Sequence, residues 1–175
     1  MLYHTQGHSS KHMKLFLSTH VHKVDKKGRV SLPSDFRAAI LCLQKDELWG
    51  EDAKTDVSFG LIRSLQSNSL EGMPLYRLEE FTDAMDKMGV FSEDQQDLSA
   101  AILADCKVLH VDSDGRIVLP QTFIEYAKIS DQVAFVGRGR SFELWRPDLF
   151  EKYQEEARSR LLNKKISVTL SGGGK

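Results

Sequence analysis

Arg29 and Arg116 are the side chains of this chain best placed by type and spacing to do chemistry, and both stand in the same setting. Each follows a glycine and lies four residues after an aspartate: Asp25-Lys26-Lys27-Gly28-Arg29 and Asp112-Ser113-Asp114-Gly115-Arg116. A planar guanidinium can grip a guanine edge or a phosphate through two parallel N–H bonds. Lys26 and Lys27 add point charges suited to phosphates. The other reading of both arginines is an ion pair inside their own turn. Asp25 and Asp112 read as turn closers whose carboxylates accept backbone N–H groups, with Gly28 and Gly115 supplying the left-handed conformation that completes a type I bend. A catalytic role for these carboxylates fits poorly, because no histidine or second acid recurs at a matching spacing in both copies.

The remaining reactive side chains form no constellation. His20 and His22 lie two apart, a spacing that a metal on one strand face can use. No third ligand can be placed beside them, so a solvated edge strand is expected and no metal. Cys42 and Cys106 make no CxxC pair and read as buried apolar filler in a reduced, cytosolic protein. With no nucleophile–base pair, metal cluster or phosphate loop, the expectation is no enzyme activity, no cofactor and no small-molecule substrate.

The elements that hold the arginines recur with them. Residues 24–37 and 111–124 align without a gap and agree at half of their positions, a spacing too long for a solenoid repeat. After each turn the arginine opens a strand. Val30 and Leu32, and again Ile117 and Leu119, alternate onto one face. Pro33 and Pro120 end that strand and suit the first turn of a helix. Phe36 with Ile40, and Phe123 with Ala127, then give the apolar i, i+4 spacing of a short helix folded back on the sheet. Strand, tight turn, strand, short helix is the unit, an α+β design used twice, with residues 15–24 and 29–32 read as a hairpin.

Between the copies the connections differ. Leu48-Trp49 and 57–62 read as strands and 64–69 as a loop. In the second copy 132–136 and 142–145 form a hairpin closed by Gly137-Arg138-Gly139-Arg140. Pro74 and Pro147 are counterparts, the first copy carrying the longer connection. Helices follow each proline, one is opened by a Ser92/Gln95 capping box, and the last runs through Leu149, Phe150, Tyr153, Ala157, Leu161 and Leu162. The helical Phe and Met positions read as core or subunit interface.

Charge is unevenly distributed. The 175 residues carry a net charge of −1, yet residues 1–37 hold seven lysines and arginines against two aspartates. A confined basic face on a nearly neutral molecule suits a local phosphate-binding surface. Hydrophobic content of 41% is sufficient for a core, and no apolar run approaches a membrane span. Residues 1–12, with His4, His8 and His12, read as a flexible extension from an upstream start or a cloning leftover, a metal-binding tail being the alternative. Residues 171–175 read as a loose tail.

With its paired D-x-x-G-R-x-x-L-P motifs, the run Met13-Lys14-Leu15-Phe16-Leu17-Ser18-Thr19 and Phe142-Glu143-Leu144-Trp145, the chain resembles the MraZ family of bacterial transcriptional regulators. The resemblance implies two AbrB-like β-hairpin half-barrels forming an internal pseudo-dimer flanked by helices, with protomers assembled into rings. It also implies repression from direct repeats in double-stranded DNA upstream of the division and cell-wall gene cluster, in the cytoplasm at the nucleoid. On that basis the expected division is an extension at 1–12, DNA-binding domains at 13–70 and 104–147, a helical connection at 71–103 and a helix with tail at 148–175. The expected DNA contacts are Lys26, Lys27, Arg29 and Arg116, with support for the second copy from Arg138 and Arg140. The first copy would supply the cations and the second Arg116 and little else. The competing reading is an AbrB-like protein-interaction or antitoxin-type subunit.

Overall fold

The computed structural model describes residues 14–47, 56–88 and 92–164. The first repeat unit contributes β1 (Thr19–Lys23), β2 (Arg29–Ser31), α1 (Ser34–Glu47), β3 (Ser58–Arg63), β4 (Leu70–Met73) and α2 (Leu75–Asp86). A bridge of α3 (Glu93–Leu98), running on as a π-helical turn over Ser99–Leu103, leads to the second unit. That unit repeats the order as β5 (Lys107–His110), β6 (Arg116–Val118), α4 (Gln121–Tyr126), β7 (Gln132–Gly137), β8 (Phe142–Trp145) and α5 (Pro147–Lys164).

The two units interleave. One six-stranded antiparallel sheet runs β1-β7-β8-β4-β3-β5, and a separate ribbon pairs β2 with β6. Thus β1 of the first unit lies along β7 of the second, while β5 of the second lies along β3 of the first. The hairpin expected over 15–32 is therefore corrected. Strand β1 does not pair with β2, and the turn between them carries the chain from one sheet to the other. Asp25 N–H reaches Arg29 O at 3.0 Å, and the chains then part, β2 pairing with β6 and β1 with β7.

Burial explains the layering. β3 and β8 are buried along nearly their whole length, as central strands covered on both faces are. Edge strand β1 alternates between exposed and half-buried positions. Phe142 sits at the centre of the core, its ring 4.9 Å from Phe16, 5.3 Å from Phe36 and 5.2 Å from Phe59. The i, i+4 pairs Phe36/Ile40 and Phe123/Ala127 are fully buried against it. A satellite cluster of Ala134, Val136, Trp145 and Phe150 seats α5, with Tyr153 stacked on Trp145 at 5.1 Å.

Several expectations meet a different outcome. α1 runs to Glu47, more than twice the length of α4, so much of the longer first-copy connection is helix. The apolar face of α5 ends near Tyr153, leaving Leu161 and Leu162 exposed. Cys42 and Cys106 are half-buried free thiols, not fully buried filler. The helix start at Ser92 is as expected, its hydroxyl accepting the Gln95 N–H at 3.2 Å, and the Gln95 side-chain amide also donates to Met85 O at 3.4 Å. Leu48-Trp49, the extension at 1–12 and the tail at 171–175 lie outside the described residues.

One ion pair fastens the units. Arg63 at the end of β3 donates to both oxygens of Asp105 at 2.6 Å, and its guanidinium lies over the rings of Phe123 and Tyr126. The Arg63 hydrogen bond holds the Asp105 carboxyl below its ordinary value of 3.8, against the opposing effect of burial. A depressed folded pKa means that this stabilisation is complete above pH 3.8 and is lost as pH falls through the folded value. Asp105→Asn is therefore expected to lower Tm at neutral pH, with the gap to the parent closing on acidification below about pH 4. Thermal melts of both proteins between about pH 3 and 7 check this.

Candidate nucleic-acid interface

The β2–β6 ribbon brings the two motifs together around a local two-fold axis. Val30 faces Ile117 at its centre, with Arg29 opposite Val118 and Ser31 opposite Arg116. The same exchange continues beyond the ladder: Leu32 N–H donates to Gly115 O and Leu119 N–H to Gly28 O, each at 2.9 Å. Val30 and Ile117 are buried, each at 1% exposure, so the cross-strand neighbours Arg29, Val118, Ser31 and Arg116 share the opposite, outward face. Ser31 and Val118 were not read as site positions from the sequence. Their period-two spacing from the arginines was the available signal.

Both turns have the same scaffold. The Asp25 Oδ1 accepts the N–H groups of Lys27 and Arg29 at 2.8 and 2.9 Å, and the Asp112 Oδ1 accepts those of Asp114 and Arg116 at 2.9 and 2.8 Å. Gly28 N–H donates to Asp25 O and Gly115 N–H to Asp112 O. Gly28 and Gly115 have φ of +77° and +76°, a region in which a Cβ is strained. Each glycine is also pressed by the other unit. A Cβ on Gly28 would stand 2.7 Å from Leu119 O, and one on Gly115 would strike the guanidinium of Arg37.

The side chains diverge where the scaffold does not. Arg29 bonds through Nε to Asp25 Oδ2 at 2.7 Å, which leaves its terminal nitrogens without a hydrogen bond among the described residues. The Arg29 N–H, and after it the guanidinium, hold the Asp25 carboxyl below the usual carboxylate value. Arg116 pairs instead through a terminal nitrogen, Nη2, with Asp114. Lys26 and Lys27 are exposed on the first turn. The first turn thus presents three cations and one carboxylate, and the second one cation and two carboxylates.

Arg138 and Arg140 lie on the connection between β7 and β8, away from the first turn. Val24 N–H bonds Asp131 O beside the first turn, whereas Gly139 bridges to Phe16 at the far end of the six-residue β7, roughly 20 Å away by strand rise. Arg138 lies 3.6 Å from Glu143. On edge strand β1, His20 Nε2 is 3.1 Å from Asp35 Oδ2, and His22 Nδ1 meets Ser31 O at 2.6 Å. Among the described residues no group of three or more His, Cys, Asp or Glu side chains is gathered to hold a metal. Nor is any described helix long and apolar enough to cross a membrane.

Comparison with known proteins places relatives around this geometry. A family model described as "MraZ protein, putative antitoxin-like" matches residues 102–169. A protein of Gluconacetobacter diazotrophicus named transcriptional regulator MraZ is 36% identical over 148 residues, 85% of this chain and 89% of that protein. Proteins of the same name from Pelagibacter ubique and Rickettsia canadensis are 34% and 32% identical, over 83% and 89% of this chain and 87% and 97% of their own lengths.

Proposed function

The chain belongs to the MraZ family, and from that premise we propose that it is a sequence-specific DNA-binding transcriptional regulator, acting as a repressor on direct repeats upstream of the division and cell-wall gene cluster. The observation that carries the reading is the outward face of the β2–β6 ribbon, where Arg29 and Arg116 alternate with short side chains beside the exposed Lys26 and Lys27. A two-stranded ribbon is one of the few elements that fit the major groove, and arginine is suited to a bidentate contact with guanine there. Lys26 and Lys27 hold phosphates, and Asp25, Gly28, Asp112 and Gly115 keep the turns in shape. The two units act as AbrB-like halves of an internal pseudo-dimer.

One such ribbon reaches few phosphates, so affinity comes from several protomers of a ring-like homo-oligomer engaging spaced repeats at high effective concentration. A nearly neutral chain binds DNA in this way through local charge alone. The protein works in the cytoplasm at the nucleoid, with double-stranded DNA and its own copies as partners and no cofactor, membrane or small-molecule substrate.

The lysines set the salt response. Lys26→Ala/Lys27→Ala is expected to lower the slope of log K against log salt by about 0.9 for each phosphate that is no longer neutralised, about 1.8 for two. Fluorescence anisotropy on a duplex from the upstream region, at several salt concentrations, measures it, and an unchanged slope removes the lysines from the interface.

The antitoxin-like wording of the matching family model favours a second reading, an antitoxin-type subunit whose partner is another protein. It predicts that the isolated chain fails to distinguish repeat-bearing from scrambled DNA. A gel shift with both fragments separates the two.

A further inference from the structure

We propose that the reading head is single-ended: the first-copy turn engages the duplex and the second-copy turn is held off it, so each chain reads DNA with a direction. This rests on the DNA-binding reading above. The ribbon backbone is close to two-fold symmetric, with Val30 facing Ile117 and reciprocal bonds between Leu32 and Gly115 and between Leu119 and Gly28. Two like arms on such an axis would favour an inverted pair of half-sites. The side chains break that symmetry. Asp114 stands where the first copy has Lys27, and Ser113 where it has Lys26. The net charge is +2 on the first turn, from Lys26, Lys27 and Arg29 against Asp25, and −1 on the second, from Arg116 against Asp112 and Asp114.

The difference extends to the guanidinium itself. A bidentate grip on guanine uses two N–H groups of one guanidinium edge. In Arg29 only Nε is engaged, by Asp25, and the terminal pair faces no partner among the described residues. In Arg116 the terminal nitrogen Nη2 is taken by Asp114. Releasing it is inexpensive, because the pair is exposed. Doing so, however, leaves the Asp112 and Asp114 carboxylates against a polyanion, where like charges repel. The second turn therefore acts as a negative arm that sets orientation, and neighbouring chains bound with their first turns alike fall on repeats that point the same way.

The test uses the full-length chain and anisotropy on two duplexes from the DNA upstream of its own gene, one with two repeats in the same direction and one with the second repeat inverted. The wild type is expected to prefer the first duplex. Arg29→Ala should abolish the repeat-dependent binding to it, and Arg116→Ala should weaken that binding by under about threefold. Asp114→Lys should tighten binding to both duplexes and erase the preference. Circular dichroism confirms folding of each variant. If the wild type binds while Arg116→Ala weakens binding as much as Arg29→Ala does, or Asp114→Lys changes neither affinity nor preference, the single-ended head is overturned and the DNA-binding reading stands. If the wild type binds no duplex, both fall.

Discussion

On the proposed DNA-binding reading, Arg29→Ala is expected to abolish repeat-dependent binding while the protein keeps its fold and its assembly size. The fold survives because the Arg29–Asp25 pair is exposed on both sides, with side-chain exposures of 45% and 40%, and exposed pairs contribute little to stability. The turn also keeps its backbone bonds, since Asp25 accepts the N–H groups of residues 27 and 29 whatever side chain stands at 29. Binding is expected not to survive, because on the proposed reading each protomer of the ring loses its contact with a guanine at once and the loss multiplies across the assembly. Arg29→Lys should recover non-specific, salt-sensitive binding without recovering discrimination, since an ammonium keeps the charge and lacks the fork. Gel shifts on intact and scrambled repeats, with size-exclusion chromatography for the assembly, measure both halves. A normal shift by Arg29→Ala removes this residue from the interface.

Gly28→Ala is expected to destabilise the whole molecule, and by more than Gly115→Ala, although both glycines have the same role and nearly the same φ. The left-handed conformation costs an alanine about 1 kcal/mol at either position. What meets the new methyl differs. At Gly28 it would stand 2.7 Å from the carbonyl oxygen of Leu119, and the Leu119 N–H is bonded back to Gly28 O. Backbone must move, and with it the end of the ribbon that joins the units, for a total of about 2–4 kcal/mol. At Gly115 the methyl meets the tip of Arg37, which can swing aside, so about 1–2 kcal/mol is expected there. Urea titrations of the two variants read the difference directly. Equal midpoints would mean that the ribbon end is softer than its hydrogen bonds imply.

The contrast between those glycines marks how far sequence reasoning reaches. Asp25 with Gly28, and Pro33 before Phe36 and Ile40, act over a few residues, so the turn shape and the helix that follows it are readable from local chemistry. The sheet partners are not. β1 has the alternation of a strand, but nothing in Thr19–Lys23 says whether it pairs with β2 beside it or with β7 in the second unit. Because the two copies have similar strands, an exchange between them satisfies the same pattern, and only burial of the whole decides. The same limit explains Leu161 and Leu162: they continue an apolar spacing along α5, but the cluster that seats that helix reaches only as far as Tyr153. Arg116 shows a finer limit, since Asp112 and Asp114 both lie within reach along the chain and the structure pairs its guanidinium with the nearer one.

The proposal that the ribbon faces DNA is tested most directly by a gel-shift titration of the full-length protein against the DNA upstream of its own gene, using intact and repeat-scrambled fragments at two salt concentrations. Retardation that needs the intact repeats and persists at the higher salt is the predicted result. Equal retardation of both fragments that vanishes with salt would contradict it and reduce the ribbon to a non-specific basic surface, and no retardation of either would turn the search toward a protein partner.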